Sequence, residues 1–303
     1  MYDDMRIPDA VIPQFFLRAL LPPGAALLRA RNRDAPEREM PVTSTHGIDP
    51  RACLSEFVAM LLFVFISCGS ATGVAGTPGW VQQVSLTFGL CITVLAYTIG
   101  HRSGGQINCA VTIGLMVAGE LELDQGVCNI LAQTLGSIVG AALLGYVKPE
   151  DADLTGGLGA NVLAPGADGT DIASALVGEV ICTFLLVYVV LETAVSPLSA
   201  NNRRLAPLAI GFAVYLAHSI MIPIDGCSIN PTRSFGPALI TAMRSESGAV
   251  WKHHWIFWVG PIVGSLLAVV WYKIMSLHDH PIMQDIRAED KAAKKKAAAT
   301  SAP

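Results

Sequence analysis

Glu56-Phe-Val-Ala-Met-Leu-Leu-Phe63 opens the first long apolar stretch of the chain, and Glu179-Val-Ile-Cys-Thr-Phe-Leu-Leu186 opens another 123 residues later. Each puts a carboxylate at the start of an otherwise apolar helix, which is costly in a membrane unless the acid has partners. Two further anchors keep nearly the same offset. Gly89 precedes Asn108 by 19 residues and Gly211 precedes Asn230 by 19, an offset of 122. Gly136-Ser-Ile-Val-Gly140 matches Gly260-Pro-Ile-Val-Gly264 at an offset of 124. The chain reads as an internal duplication.

Around these anchors lie six segments with the length a bilayer span needs, about 20 residues. They cover residues 52–74, 81–100, 126–147, 172–195, 205–222 and 254–275. Two apolar pieces, 108–118 and 230–243, are too short to span and follow glycine-containing turns, as re-entrant half-helices do. Irregular backbone survives at membrane depth only where protein or a water-filled cavity covers it. Each repeat holds three spans, an odd number, so the two copies must run in opposite directions across the membrane. Inverted repeats of this kind place the working site near the midplane where they meet. The fold class is therefore an all-α membrane protein: six transmembrane helices plus two re-entrant half-helices in an inverted repeat. The domain plan is an N-terminal tail over 1–51, a membrane domain over 52–275 with repeats at 52–147 and 172–275, and a C-terminal tail over 276–303.

Composition agrees. Of 303 residues, 52% are hydrophobic and 15% charged, with mean hydropathy +0.50; a soluble domain carries about 25% charge. A net charge of −4 gives no nucleic-acid footprint. The seven cysteines (Cys53, Cys68, Cys91, Cys109, Cys128, Cys182, Cys227) form no C-x-x-C pair and sit mostly in apolar runs, against a disulfide framework or a zinc site. No nucleophile–base pair or metal cluster is visible, so neither an enzyme nor a cofactor is expected. Sixteen Lys and Arg fall in the two tails and the loops after spans 2 and 4, against four on the other side. The positive-inside bias puts both termini in the cytoplasm. The plasma membrane is the default location, an intracellular membrane the alternative.

The two short pieces begin alike, with Asn108-Cys109-Ala110 and Asn230-Pro231-Thr232. Asparagine is a favoured helix N-cap, and two inverted half-helices starting at mid-membrane aim both positive dipole ends at the centre. Here the sequence resembles the aquaporin (major intrinsic protein) family, whose signature is a pair of Asn-Pro-Ala boxes. The resemblance covers about residues 52–275 and includes Ser55-Glu56-Phe57, Gly100-His101, Ser103-Gly104-Gly105 and Ser234-Phe235-Gly236-Pro237. Two positions depart from it: Cys109 stands for the first proline and Thr232 for the second alanine. Cysteine there adds one backbone donor and threonine one hydroxyl, and the Cys109 side chain is expected to point away from the lumen.

The resemblance implies that the Asn108 and Asn230 amides donate to passing water, and that an outer filter is built from Phe88, His218, Cys227 and Arg233. That set is similar to the orthodox water-selective members. Glycerol-permeable members carry a smaller residue at the His218 position and an aspartate after the arginine, where this chain has Ser234. A thiol at Cys227 would be open to mercurials. The resemblance further implies that Glu56 and Glu179 hydrogen-bond the re-entrant loops, that His101 lines an inner vestibule, and that the channel is a homotetramer in the lipid bilayer with one pore per subunit. Read by their residues alone, the two carboxylates would also suit a proton relay. The expected function is a passive water channel. Channels for hydrogen peroxide or glycerol, an ion- or proton-coupled transporter, and a non-conducting scaffold are the competing readings. In the flanks, residues 12–33 mix leucine and phenylalanine with arginine and suit the inner leaflet or, equally, an ordinary disordered tail, and Lys294–Lys296 suits a solvated tail or a weak anionic-lipid contact.

Overall fold

The structure is a computed structural model that describes residues 47–163, 170–245 and 248–279; the flanking segments singled out above lie outside the described residues. Among the described residues every regular element is helical. Six helices among these residues are long and apolar enough to cross a membrane, and Cys109–Ala118 is a shorter apolar helix. Asp49 caps α1 (Pro50–Phe63), accepting the Arg51 N–H at 2.8 Å with Pro50 in the first turn. The helix thus begins two residues before the expected span. α1 continues through a π turn, Val64–Cys68, into Gly69–Thr72. α2 (Trp80–Ser103) starts after Gly79 and stops at Gly104, both in the left-handed region that glycine adopts freely. Then come the half-helix α3 (Cys109–Ala118) and the long α4 (Leu123–Val147).

The second repeat copies this order with α5 (Thr170–Val190, extended by the π turn Leu191–Val195), α6 (Ala206–Asp225), the half-helix α7 (Pro231–Ser245) and α8 (Ile256–Asp279). α7 is longer than α3 by half again, 15 residues against 10.

Close helix crossings explain the repeated glycines. A Cβ on Gly136 or Gly140 would strike the Phe57 and Leu61 carbonyl oxygens, so α4 lies directly on the α1 backbone. In the second repeat Gly260 abuts the Glu179 side chain and Gly264 the Val180 carbonyl, so α8 lies on α5 in the same way. Gly89 and Gly211 face each other: a Cβ on Gly89 would sit 2.6 Å from the Gly211 oxygen, and one on Gly211 2.5 Å from the Gly89 oxygen. That mutual contact is where the pseudo-twofold relation between the repeats brings α2 onto α6. Small residues of this kind let helix backbones approach where lipid supplies no hydrophobic drive between helices.

The half-helices diverge to opposite faces. Lys273, near the end of α8, donates to the Ala118 carbonyl at the end of α3 at 2.6 Å. The Asp49 N–H at the start of α1 donates to Gln125 at the start of α4 at 2.6 Å. The start of α1 and the end of α8 therefore share one face with the end of α3. Arg244, at the end of α7, meets Glu150 after α4 on the other face, at 3.4 Å. Large apolar side chains such as Leu90, Val94, Leu131, Ile181, Phe212 and Ile220 are exposed on the outside of the bundle, where a bilayer would cover them.

Candidate functional site

The N-termini of α3 and α7 meet at the centre. Asn108 caps α3 with its side-chain oxygen, accepting the Ala110 N–H at 2.8 Å. Its amide nitrogen donates across the repeat boundary to the Ile229 carbonyl at 2.8 Å. Asn230 mirrors it, donating to the Ile107 carbonyl at 2.8 Å while its oxygen accepts the Arg233 N–H at 3.2 Å. A carboxamide has two N–H donors. Each asparagine therefore commits one hydrogen to the opposite repeat and keeps one, and both line the same cavity.

The carbonyls of Ile107 and Ile229 face the partner asparagines because both residues lie in the left-handed region, with φ 49° and 45°. Branched side chains avoid that region, so something must hold them there. Glu56 does so in the first repeat: its carboxylate accepts the Gln106 and Ile107 N–H groups at 2.9 and 2.7 Å, with Ser103 Oγ at 2.6 Å and Gln133 Nε2 at 2.8 Å. Glu179 accepts the Ser228 and Ile229 N–H groups, both at 2.6 Å. Both acids are fully buried. The loops they hold have no helical partner for those amides.

The cavity is narrow, with about 50 Å³ open to water, and is walled mainly by apolar side chains, among them Phe63, Ile92, Val111, Leu186 and Val214. Its polar lining comes from Asn108, Asn230, Gln106, Ser228 and His218. Cys109 and Thr232 are buried and are not among the lining residues. His218 Nδ1 lies 2.9 Å from the Val214 carbonyl. A carbonyl only accepts, so that nitrogen carries the proton and Nε2 is left as an acceptor, without a partner among the described residues.

Three of the four expected filter residues come together directly. Phe88 stacks on His218 with centroids 4.1 Å apart, and the Arg233 guanidinium lies 5.0 Å from the Phe88 ring centroid. Arg233 Nη1 donates to the Gly159 carbonyl at 3.0 Å and to Asn161 Oδ1 at 2.7 Å. Cys227 sits on the turn between α6 and α7 with φ 56°, its N–H held by Asp225 Oδ1 at 2.9 Å and its thiol free and buried. His101 is placed differently from the rest. α2 runs on to Ser103, which carries His101 on its last turn, exposed and outside the cavity lining.

Sequence reading missed the residues that support this centre. Asn161 was part of a Gly-rich acidic connector, yet it is buried and bonds Arg233, Ser234 and the Asp225 carbonyl. Behind α3, Thr112 donates to Gln106 at 2.8 Å, Asn129 to Gln106 at 3.1 Å and Gln133 to Thr112 at 3.1 Å. Amides inside an apolar span were the available signal, since such groups are expensive unless bonded.

The chain matches the family described as Major intrinsic protein over residues 44–272. It is 42% identical over 237 residues to Aquaporin-1 of Bos taurus, covering 74% of this chain and 82% of that one. It is 38% identical over 265 residues to Probable aquaporin PIP2-7 of Oryza sativa subsp. japonica, covering 83% of this chain and 89% of that one. Among solved structures, the aquaglyceroporin from Plasmodium falciparum superposes with a TM-score of 0.65 at 19% identity, covering 79% of this chain and 99% of that one. That likeness speaks for the fold alone. With the family match spanning most of its length and its six apolar helices arranged as described, the chain is a multi-pass membrane protein and belongs to the major intrinsic protein family.

Proposed function

We propose that the protein is a passive water channel driven by osmotic gradients. One arrangement carries the reading: two half-helix N-termini meet head to head, and each asparagine keeps one amide hydrogen for the cavity. A water molecule accepting from both has its lone pairs occupied and cannot take a proton from its neighbour. Each helix N-terminus also carries about half a positive charge, so the centre repels cations, hydronium included. Relatives from mammals and plants that are named aquaporins support the same reading.

Phe88, His218, Cys227 and Arg233 form the selectivity constriction in this reading. Stacking of Phe88 on His218 narrows the passage, His218 Nε2 offers an acceptor, and Arg233 offers donors and a full positive charge. The stacked pair argues against glycerol as the main permeant; hydrogen peroxide, close to water in size, is the alternative substrate. His101, exposed on the last turn of α2, lines an inner vestibule in this reading. The protein assembles as a homotetramer in the bilayer, with a pore in each subunit and both termini in the cytoplasm of a plasma-membrane channel. No cofactor takes part.

Reconstituted liposomes followed by stopped-flow light scattering test this. Fast shrinkage in sucrose with slow re-swelling in glycerol is the expected result. Rapid re-swelling would overturn the filter assignment, and shrinkage no faster than that of empty liposomes would overturn the channel.

A further inference from the structure

The two box departures touch each other. Cys109 is the first residue of α3, where a backbone N–H ordinarily has no partner within its own helix. A proline there would have no N–H to satisfy. Here the Cys109 N–H donates to Thr232 Oγ1 of the opposite half-helix at 3.3 Å. Thr232 passes the hydroxyl hydrogen on to Asn230 Oδ1 at 2.7 Å. Asn230 in turn donates to the carbonyl of Ile107, two residues before Cys109. The four residues close a ring that crosses from one repeat to the other and back, and all of them are buried.

We infer that Thr232 is a positioning residue for Asn230, and that Cys109 and Thr232 act as one unit: the donor exposed by the missing proline is received by the hydroxyl that replaces the alanine. Neither side chain enters the cavity lining. The oxygen of Asn230 accepts from both Thr232 and the Arg233 N–H, whereas that of Asn108 accepts the Ala110 N–H alone within its box. The plane of Asn230 is thus set by one bond more than that of Asn108, and the extra bond comes from Thr232. A hydroxyl suits the place because it accepts and donates at once. An alanine at 232 would leave the Cys109 N–H, on a buried residue, without its hydroxyl partner, and a buried donor without a partner is costly.

The consequence for transport rests on the water-channel reading; the bonding between the two positions does not. The test compares wild type with Thr232→Ala, Thr232→Ser, Thr232→Val, Cys109→Pro and the double variant Cys109→Pro/Thr232→Ala. Water permeability per reconstituted protein and thermal unfolding in detergent are measured on each. Thr232→Ala and Thr232→Val are expected to lower permeability by about five-fold or more, the low end of the scale of stranding one buried donor, and to lower the melting temperature. Thr232→Ser keeps wild-type values in both. Proline at 109 removes the stranded donor, and the extended backbone of Asn108 accepts a following proline. The double variant is therefore expected to recover most of what Thr232→Ala loses. Proton leak is the readout that a merely structural role would not move: it rises in Thr232→Ala and returns to the wild-type level in the double variant.

Harmless Thr232→Ala, or a Thr232→Ala defect that proline at 109 does not relieve, would overturn the pairing. If Thr232→Ala does not fold, a folded double variant supports the pairing and an unfolded one overturns it. A wild type that conducts no water would sink the channel reading instead, while the pattern of melting temperatures still decides whether the two positions are coupled.

Discussion

Glu56 and Glu179 each clasp two successive backbone N–H groups, and each clasp ends on the isoleucine that precedes a box asparagine: Ile107 for Glu56, Ile229 for Glu179. The isoleucines are held in the left-handed region, and their carbonyls reach the asparagine of the other repeat. A carboxylate on the first helix of each repeat thereby sets the position of the opposite repeat's amide. Two oxygens facing two amides is an acceptor-only task, which an ionised acid performs and an amide side chain does not.

Replacing either acid by glutamine turns one acceptor into a donor that faces another donor. For Glu179→Gln one N–H loses its partner, a cost of about 1–3 kcal/mol. Glu56 also serves Ser103 and Gln133, so Glu56→Gln disturbs more bonds and is expected to be the more destabilising of the two. Thermal unfolding in detergent decides it; equal melting temperatures would show that the additional partners contribute nothing.

Substituting His218 by alanine removes the ring on which Phe88 stacks. In the proposed channel the passage then widens on one side while Arg233 stays bonded to Gly159 and Asn161. Glycerol permeability is expected to rise by about ten-fold, equivalent to lowering its barrier by about 1.4 kcal/mol, with water permeability maintained. Re-swelling rates of His218→Ala proteoliposomes in glycerol measure this, and wild-type re-swelling would place the size limit elsewhere.

Much of the architecture was legible because packing leaves marks that survive in sequence. Glycines at 89 and 211, 136 and 260, and 140 and 264 recur at nearly constant offset since close helix contact excludes a Cβ at each. Asn108 and Asn230 were legible because capping demands a residue type at a helix start. The left-handed Ile107 and Ile229 were not legible, since nothing in a branched side chain signals a conformation that it disfavours locally and adopts only under tertiary restraint. Asn161 was hidden for a different reason. It lies in a connector rich in glycine and acid, and its role follows from a long-range bond to Arg233, 72 residues away.

Gly89→Ala and Gly100→Ala, on the same helix, should behave oppositely. A methyl at 89 would meet the Gly211 carbonyl oxygen at 2.6 Å and the Tyr215 Cβ at 2.9 Å, where neither backbone can give way cheaply. A methyl at 100 meets nothing within 4 Å, and alanine is favoured over glycine in a helix by about 1 kcal/mol. Gly89→Ala is expected to abolish the folded, monodisperse protein, and Gly100→Ala to preserve or raise its melting temperature. Size-exclusion profiles and melting curves of the two variants provide the check; a well-folded Gly89→Ala would mean that α2 and α6 can separate without loss.

Asn161 holds Arg233 from the side. Its Oδ1 accepts from Arg233 Nη1 at 2.7 Å and from Ser234 Oγ at 2.8 Å, while its amide is tied to the Asp225 carbonyl at 3.2 Å. Alanine at 161 would leave the Gly159 carbonyl as the one partner of Nη1 among the described residues. With Nε lacking a partner among the described residues, the guanidinium would then be free to swing away from Phe88. A filter that depends on a fixed positive charge loses selectivity under those conditions before it loses conductance. Asn161→Ala is thus expected to keep water permeability near the wild-type value while glycerol and proton permeability both rise. Asn161→Asp, which retains the acceptor, should hold Arg233 in place and keep glycerol out. Flux assays on the two variants separate the cases: a leak in both would assign the defect to the lost Asp225 contact, and a leak in neither would show that Gly159 alone suffices to fix the arginine.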